Sequence, residues 1–251
     1  MNFFIKKVIP LSLIITLFAF ILFLLFPKKS TIRSLPVKGG VEQSETEGFN
    51  QIVTQNEQEG FKLIKTAFIE QSPEKNWDQP WQDACEEAAL LTVDFYYKNK
   101  PTSPKIIRDK ILNMIKFEET QNFTKDINIA QMAVVSEKYL NYQTKIIDNP
   151  TIEDIKKYLT QNIPIIVPAS GKILYQENKH FNSGGPYYHN VVVLGYDDDK
   201  QQFIVHDVGT KSGSYFHYSY SLLLESIHDF PISGIKEDIN NGQKRILILL
   251  K

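Results

Sequence analysis

Among 251 residues there is a single cysteine, Cys85, in the stretch "NWDQPWQDACEEAALLTVDFYYKN", where a polar turn gives way to an apolar run. A thiol at the start of a helix meets unpaired backbone N–H groups and the positive end of the helix dipole, and both favour thiolate. Behind it, Ala88, Leu91 and Phe95 recur at helical spacing, and Ala89, Leu90, Val93, Tyr96 and Tyr97 make the helix apolar nearly all round. Such a helix belongs in the middle of a domain. A lone cysteine is more often a small buried hydrophobe than a nucleophile. Glu86 and Glu87 suit a helix N-terminus, yet they place negative charge beside the thiol and raise its pKa, so activation would depend on a nearby imidazolium.

The candidate base is His189, in "GGPYYHNVVVLGYDDDKQQFIVHDVGT". Two β-type runs flank the acidic turn Asp197–Lys200, which predicts a hairpin. If Tyr196 pairs with Gln202, Asp207 falls opposite Val191 and shares a face with His189. Diagonal neighbours of that kind lie roughly 7 Å apart, within reach of a carboxylate holding an imidazole. A slip of one residue would send Asp207 to the other face. His206 points away from Asp207's face and reads as a partner on the far side of the sheet, while His217 is the reserve base. Taken alone, His189 could equally be a strand-end histidine and Asp207 a turn cap.

The order of a cysteine on a central helix, then a histidine and an aspartate on consecutive strands, resembles papain-like cysteine peptidases. The strings "QSPEKNWDQPWQDACEEAALL" and "GPYYHNVVVLGYDDDKQQFIVHDVGTKSGSYFHY" are similar to bacterial peptidases of the family thirty-nine type, a group named for bacteriocin-leader processing, over roughly residues 68–230. The resemblance implies a papain-like α+β fold with Cys85 as nucleophile, His189 as general base and Asp207 as the residue orienting it. It also implies an upstream glutamine that donates to the oxyanion. Gln71 matches the family's glutamine. Gln79 has the offset from cysteine seen in papain and is the runner-up, and Gln82 reads as a loop residue. Ala89 stands where the family often has Ser, and Val208 where it usually has Pro.

The elements that must position these groups read as helices first and strands after. Helices are expected from Asp83 or Ala84 to Tyr97, from Ser103-Pro104 to about Phe117, from about Ile127 to Tyr139, and from the capping-box-like "TIED" at Thr151. Strands follow at 164–169, 189–196, 202–207, 215–220 and 245–250, with a short helix in "SLLLESIHD". Helices followed by a mainly antiparallel sheet make an α+β domain, here 61–251. The long loop Gly171–Pro186 is expected to border the cleft. Trp77, Tyr187 and Tyr188 could line a groove, though aromatics near a central helix are core by default.

Ahead of the domain, 19 residues from Val8 to Phe26 carry no charge. As a helix they would span roughly 28 Å, close to a bilayer's hydrocarbon core. Residues 1–27 therefore read as a cytoplasmic stub and uncleaved transmembrane anchor. Residues 28–60 read as a flexible tether, and the domain as extracytoplasmic at the membrane. Lys plus Arg number 28 against 29 Asp plus Glu, so no net field attracts nucleic acid. One cysteine excludes an intramolecular disulfide, and the five histidines lack close metal-ligand spacing, so no cofactor or metal is expected. The expected partner is a peptide or protein substrate. A cell-wall amidase or endopeptidase, a transglutaminase-type acyltransferase, and an inactive binding domain are the alternatives.

Overall fold

The computed structural model describes residues 60–100 and 102–251. The expected membrane anchor, and the tether up to residue 59, lie outside the described residues. Among the described residues no helix is long and apolar enough to cross a membrane.

The central helix, α1, runs from Cys85 to Lys98, and every side chain from Cys85 to Phe95 is buried. That matches its all-round apolar pattern and includes three acids that pattern did not anticipate inside, Glu86, Glu87 and Asp94. It ends on Asn99 in the left-handed conformation, with Lys98 in its last turn against the negative end of the dipole. Helix α2, Pro104–Thr120, starts on the Ser103 hydroxyl, which accepts from Ile106 N at 3.3 Å, with proline at the first position. Its buried residues, Ile107, Ile111, Met114 and Glu118, make one face. Helix α3, Ile129–Lys138, begins two residues later than the apolar pattern suggests because Asn128 caps it in a box with Gln131. Helix α4, Ile152–Thr160, has the capping box foreseen in "TIED", with Asp154 returning to the Thr151 backbone.

A seven-stranded sheet completes the domain. Its strands are β1 (Phe61–Leu63), β2 (Gln143–Asp148), β3 (Ile165–Ser170), β4 (Tyr188–Asp197), β5 (Gln202–Asp207), β6 (Phe216–Ser219) and β7 (Arg245–Leu250). The order is β2-β7-β3-β4-β5-β6, with β1 pairing β4 beyond the end of β3. All pairings are antiparallel. β3 and β4 are buried along their whole length, so both faces of the sheet's centre are covered. α1 packs against β4 and α2. Two short helices, α5 (Gly171–Leu174) and α6 (Tyr220–Ser226), attach to the β3 side and to each other. The result is an α+β domain of helices and a mainly antiparallel sheet. β1 and β2 are the two strands without a sequence signal: one has three residues, the other reads "QTKIID" on a half-exposed edge.

The β4–β5 hairpin sets the geometry of the site. Asp197, not Tyr196, pairs with Gln202, which by itself would put Asp207 opposite Val192. A bulge between Val193 and Gly195 adds one residue to β4 and brings Val191 opposite Asp207. Asp207 therefore shares the face of His189 as expected, by a different route.

Candidate active site

Cys85 is the first residue of α1, preceded by a single 3₁₀ turn, Trp81–Asp83. Its N-cap is Ala84, which supplies no capping side chain. The first-turn amides, which have no partner within the helix, are left without a side-chain acceptor at the cap. The thiol is 4% exposed and lines a cleft of about 660 Å³. Gln71, Gln82 and His189 line the same cleft. The loop before β4 borders it from His180 to Ser183 and again at Gly185 and Pro186. The ends of that loop are held together at a close approach: a Cβ on Gly185 would lie 2.2 Å from the Gly171 carbonyl oxygen.

His189 and Asp207 are joined, with His189 Nε2 2.8 Å from Asp207 Oδ1. The edge of the imidazole packs on Phe181 at 5.2 Å between centroids. Asp207 is fully buried. Its other oxygen accepts from the Tyr218 hydroxyl at 2.6 Å and from Asn178 Nδ2 at 2.9 Å, and Gly209 N donates to Oδ1 at 3.3 Å. Burial works against the charge on Asp207. The His189 ring and these side-chain donors outweigh it and hold the carboxyl below its ordinary value. With Nε2 committed to Asp207, Nδ1 is the ring nitrogen left for chemistry in the cleft.

The surroundings of the thiol answer the question raised by the two adjacent glutamates. Sγ is 3.0 Å from Glu86 Oε2, and Asn190 Nδ2 approaches it at 3.7 Å. Its hydrogen bonds are thus to Glu86 and Asn190. The other Glu86 oxygen accepts from Ile127 N at 3.0 Å. Burial first, then the charge and hydrogen bond of Glu86, push the thiol well above its usual pKa, and the Asn190 amide opposes them. Glu86 is itself pushed well above the carboxylate range, by burial and then by Glu87 and Asp126. A carboxyl in that state is neutral over more of the pH range, and its repulsion of a thiolate lapses where it is protonated.

Gln71 is buried against the cleft, and its backbone N–H reaches Val208 O at 3.0 Å, tying its segment to the turn after Asp207. Its amino group donates to the carbonyls of Trp81 at 2.9 Å and Gln82 at 3.3 Å, while its Oε1 has no partner. Gln79 does not line this cleft; it is exposed and donates to Asp83 Oδ2 at 2.8 Å. Gln82 is exposed and lines the cleft, but from within the 3₁₀ turn Trp81–Asp83 and not from a loop. Between Gln71 and His189 lies Gly209, where a Cβ would sit 2.6 Å from His189 Cε1 and 3.2 Å from Gln71 Oε1.

His206 takes the far side of the sheet as expected. It accepts from Tyr215 N at 3.1 Å and packs edge-on to Phe68, and burial lowers its pKa to about 4. His217 is exposed on β6 beside Gln202. Trp77 and Tyr188 line the cleft, whereas Tyr187 lines a smaller cavity adjoining Cys85. Among the described residues no group of His, Cys, Asp and Glu has metal-binding geometry. Asn178, Tyr218 and Asn190 are contributors without a sequence signal, since each acts through a contact with a residue distant in the chain.

An α+β domain with a thiol at the head of its central helix and a His–Asp pair on neighbouring strands is a papain-like arrangement. The family model described as "Peptidase_C39 like family" matches residues 64–227. The chain belongs to that family, and its described part is a papain-like domain of C39 type, which points to a cysteine peptidase. The chain is also similar to a crystal structure described as a candidate C39-like peptidase from Bacillus anthracis, at 14% identity and a TM-score of 0.45, covering 76% of this chain and 98% of that one. No curated protein matches.

Proposed function

We propose that the chain is a cysteine peptidase that hydrolyses peptide or amide bonds through Cys85, His189 and Asp207. The supporting observation is the 2.8 Å His189–Asp207 bond in the wall of the cleft that Cys85 also lines. In this reading the thiol turns from Glu86 toward His189 Nδ1 and gives up its proton there. The thiolate attacks the substrate carbonyl carbon, forming a C–S bond, and the oxyanion is received by the Cys85 backbone N–H. Gln71 joins it by exchanging its longer contact, with the Gln82 carbonyl, for the oxyanion. His189 then protonates the departing amine as the C–N bond breaks. It next takes a proton from the water that hydrolyses the thioester, and the thiol is returned. Asp207 holds the ring's orientation and balances its charge.

The substrate is a peptide or protein, and the N-terminal anchor of the chain holds the domain near a membrane, outside the cytoplasm. A specific observation also favours a second reading, a binding domain without turnover: the resting thiol is hydrogen-bonded to Glu86 and its pKa is raised. Labelling of the full chain with a thiol-directed peptidase probe separates the two. Peptidase chemistry gives labelling that is lost in both Cys85→Ser and His189→Ala. Labelling that survives His189→Ala, or fails in the native chain while the unfolded chain reacts, would sink it.

A further inference from the structure

A second cavity, about 610 Å³, lies between the turn that precedes Cys85 and helix α2. Its walls include Pro80, Leu112, Ile115 and Phe123, and four acids line it as well: the buried Glu87 and Glu118, with Asp83 and Glu119 nearer solvent. Glu87 and Glu118 are at least nine-tenths buried, at 1% and 4% exposed. Glu87 Oε2 and Glu118 Oε1 have no hydrogen-bond partner, although Lys116 and Lys125 stand on the exposed rim. Asp83 lines this cavity and also the small one that Cys85 lines, so the two are neighbours across the turn that precedes the thiol.

We propose that this cavity is a specificity subsite for a basic side chain, lysine or arginine, of the peptide whose scissile bond lies at Cys85. That identity rests on the peptidase reading. The site itself rests on the cavity and its orphaned oxygens. A neutral apolar side chain would leave those oxygens dry and unpaired, which is costly. An acidic side chain would add a charge of the same sign. An ammonium or guanidinium on an apolar stem satisfies both features, its stem against Leu112, Ile115 and Phe123 and its N–H groups on the carboxyls. Burial, then the charge of Glu118, raises Glu87, and burial raises Glu118 to about 7. The nearby acids Glu86 and Asp126 add charge of the same sign, so a cation relieves repulsion already present.

The test uses the full chain in non-ionic detergent as its Cys85→Ala form, so that binding is read without turnover. The probes are fluorescein-labelled alanine octapeptides with one lysine walked through every position, measured by anisotropy. One position, or two adjacent ones, should bind about tenfold more tightly than the lysine-free peptide. The gain should disappear with norleucine in place of lysine. It should also disappear in Glu118→Gln, which removes the charge, and in Leu112→Trp, which fills the cavity, with both variants checked for a native circular dichroism spectrum and a single cooperative unfolding transition. No positional gain, or a gain that survives both substitutions, would overturn the proposal. Because nothing here depends on cleavage, a failure of the peptidase reading would register in probe labelling and leave this result standing.

Discussion

Replacing Glu86 by glutamine tests the electrostatics of the thiol directly. Glu86 Oε2 lies 3.0 Å from Sγ, and its other oxygen is tied to Ile127 N. Glutamine keeps the shape, can keep the Ile127 contact, and turns an N–H donor toward sulfur. Two unit charges about 4 Å apart at an effective dielectric of about 20 repel by about 4 kcal/mol, which sets a ceiling of about 3 pKa units on the relief. The working effect is smaller, because Glu86 is held above the usual carboxylate range by burial, Glu87 and Asp126, and is charged only on the alkaline side of its shifted pKa. The sign follows from that. In the native chain the suppression of the thiolate is present where Glu86 is ionised and fades as pH falls and it protonates. The assay is the rate of iodoacetamide modification of Cys85 by intact mass. Glu86→Gln should react about tenfold faster at pH 8 to 9 and about as fast as the native chain near pH 5. A variant slower at every pH would refute this reasoning and make the carboxylate the thiol's base. A constant ratio across pH would show that Glu86 does not titrate in this range.

Three further outcomes follow from the same geometry. Asp207→Asn removes the charge that balances His189 and leaves its three neighbours facing an amide, so probe labelling of Cys85 should fall by about 10²- to 10⁴-fold, read as an initial rate. Gly209→Ala introduces a Cβ 2.6 Å from His189 Cε1, so the ring must move; labelling should be lost while the far-ultraviolet circular dichroism spectrum is retained, and native-rate labelling would contradict the placement. Glu118 has a folded pKa of about 7, raised above the unfolded value, so the folded state holds its proton longer and stability is lost as pH rises through that value. Glu118→Gln should therefore be more stable than the native chain at pH 8, by on the order of 2–3 kcal/mol, with the gain vanishing near pH 4 in denaturant titrations.

What could be read from the sequence was local. Ser103-Pro104 and "TIED" mark helix starts because a cap is made by residues within three positions, and both are found as written. The β3, β4 and β7 runs are apolar because the sheet's centre is covered, so their composition announces them. β1 and β2 depend on strands far along the chain for their pairing, and their own residues carry no pattern. The His189–Asp207 face came out as expected although the assumed turn pairing was off by one, since the bulge at Leu194 cancels the error. Nothing in the alternation around "VVVLGY" signals a bulge. The donors to Asp207 were hidden for a related reason: Asn178 sits in an irregular loop 29 residues away, and Tyr218 looks like any aromatic on a strand.

The first turn of α1 carries two features that stability alone does not favour. Ala84 stands at the cap, where serine or aspartate would contribute about 1 kcal/mol, and two glutamates lie buried where apolar side chains would pack without desolvation cost. Complementing the helix dipole does not account for the second, because surface acids would do so without burial. Both concessions fall within three residues of the only thiol. An uncapped turn keeps backbone amides available to an anion, while Glu86, raised by burial, Glu87 and Asp126, opposes a thiolate where it is ionised and stops repelling it where it is protonated. The first concession is recovered when negative charge develops at Cys85, and the second makes that charge depend on the protonation of Glu86. A domain that merely bound a ligand elsewhere in the cleft would gain nothing from the first, and the pH profile of Glu86→Gln measures the second.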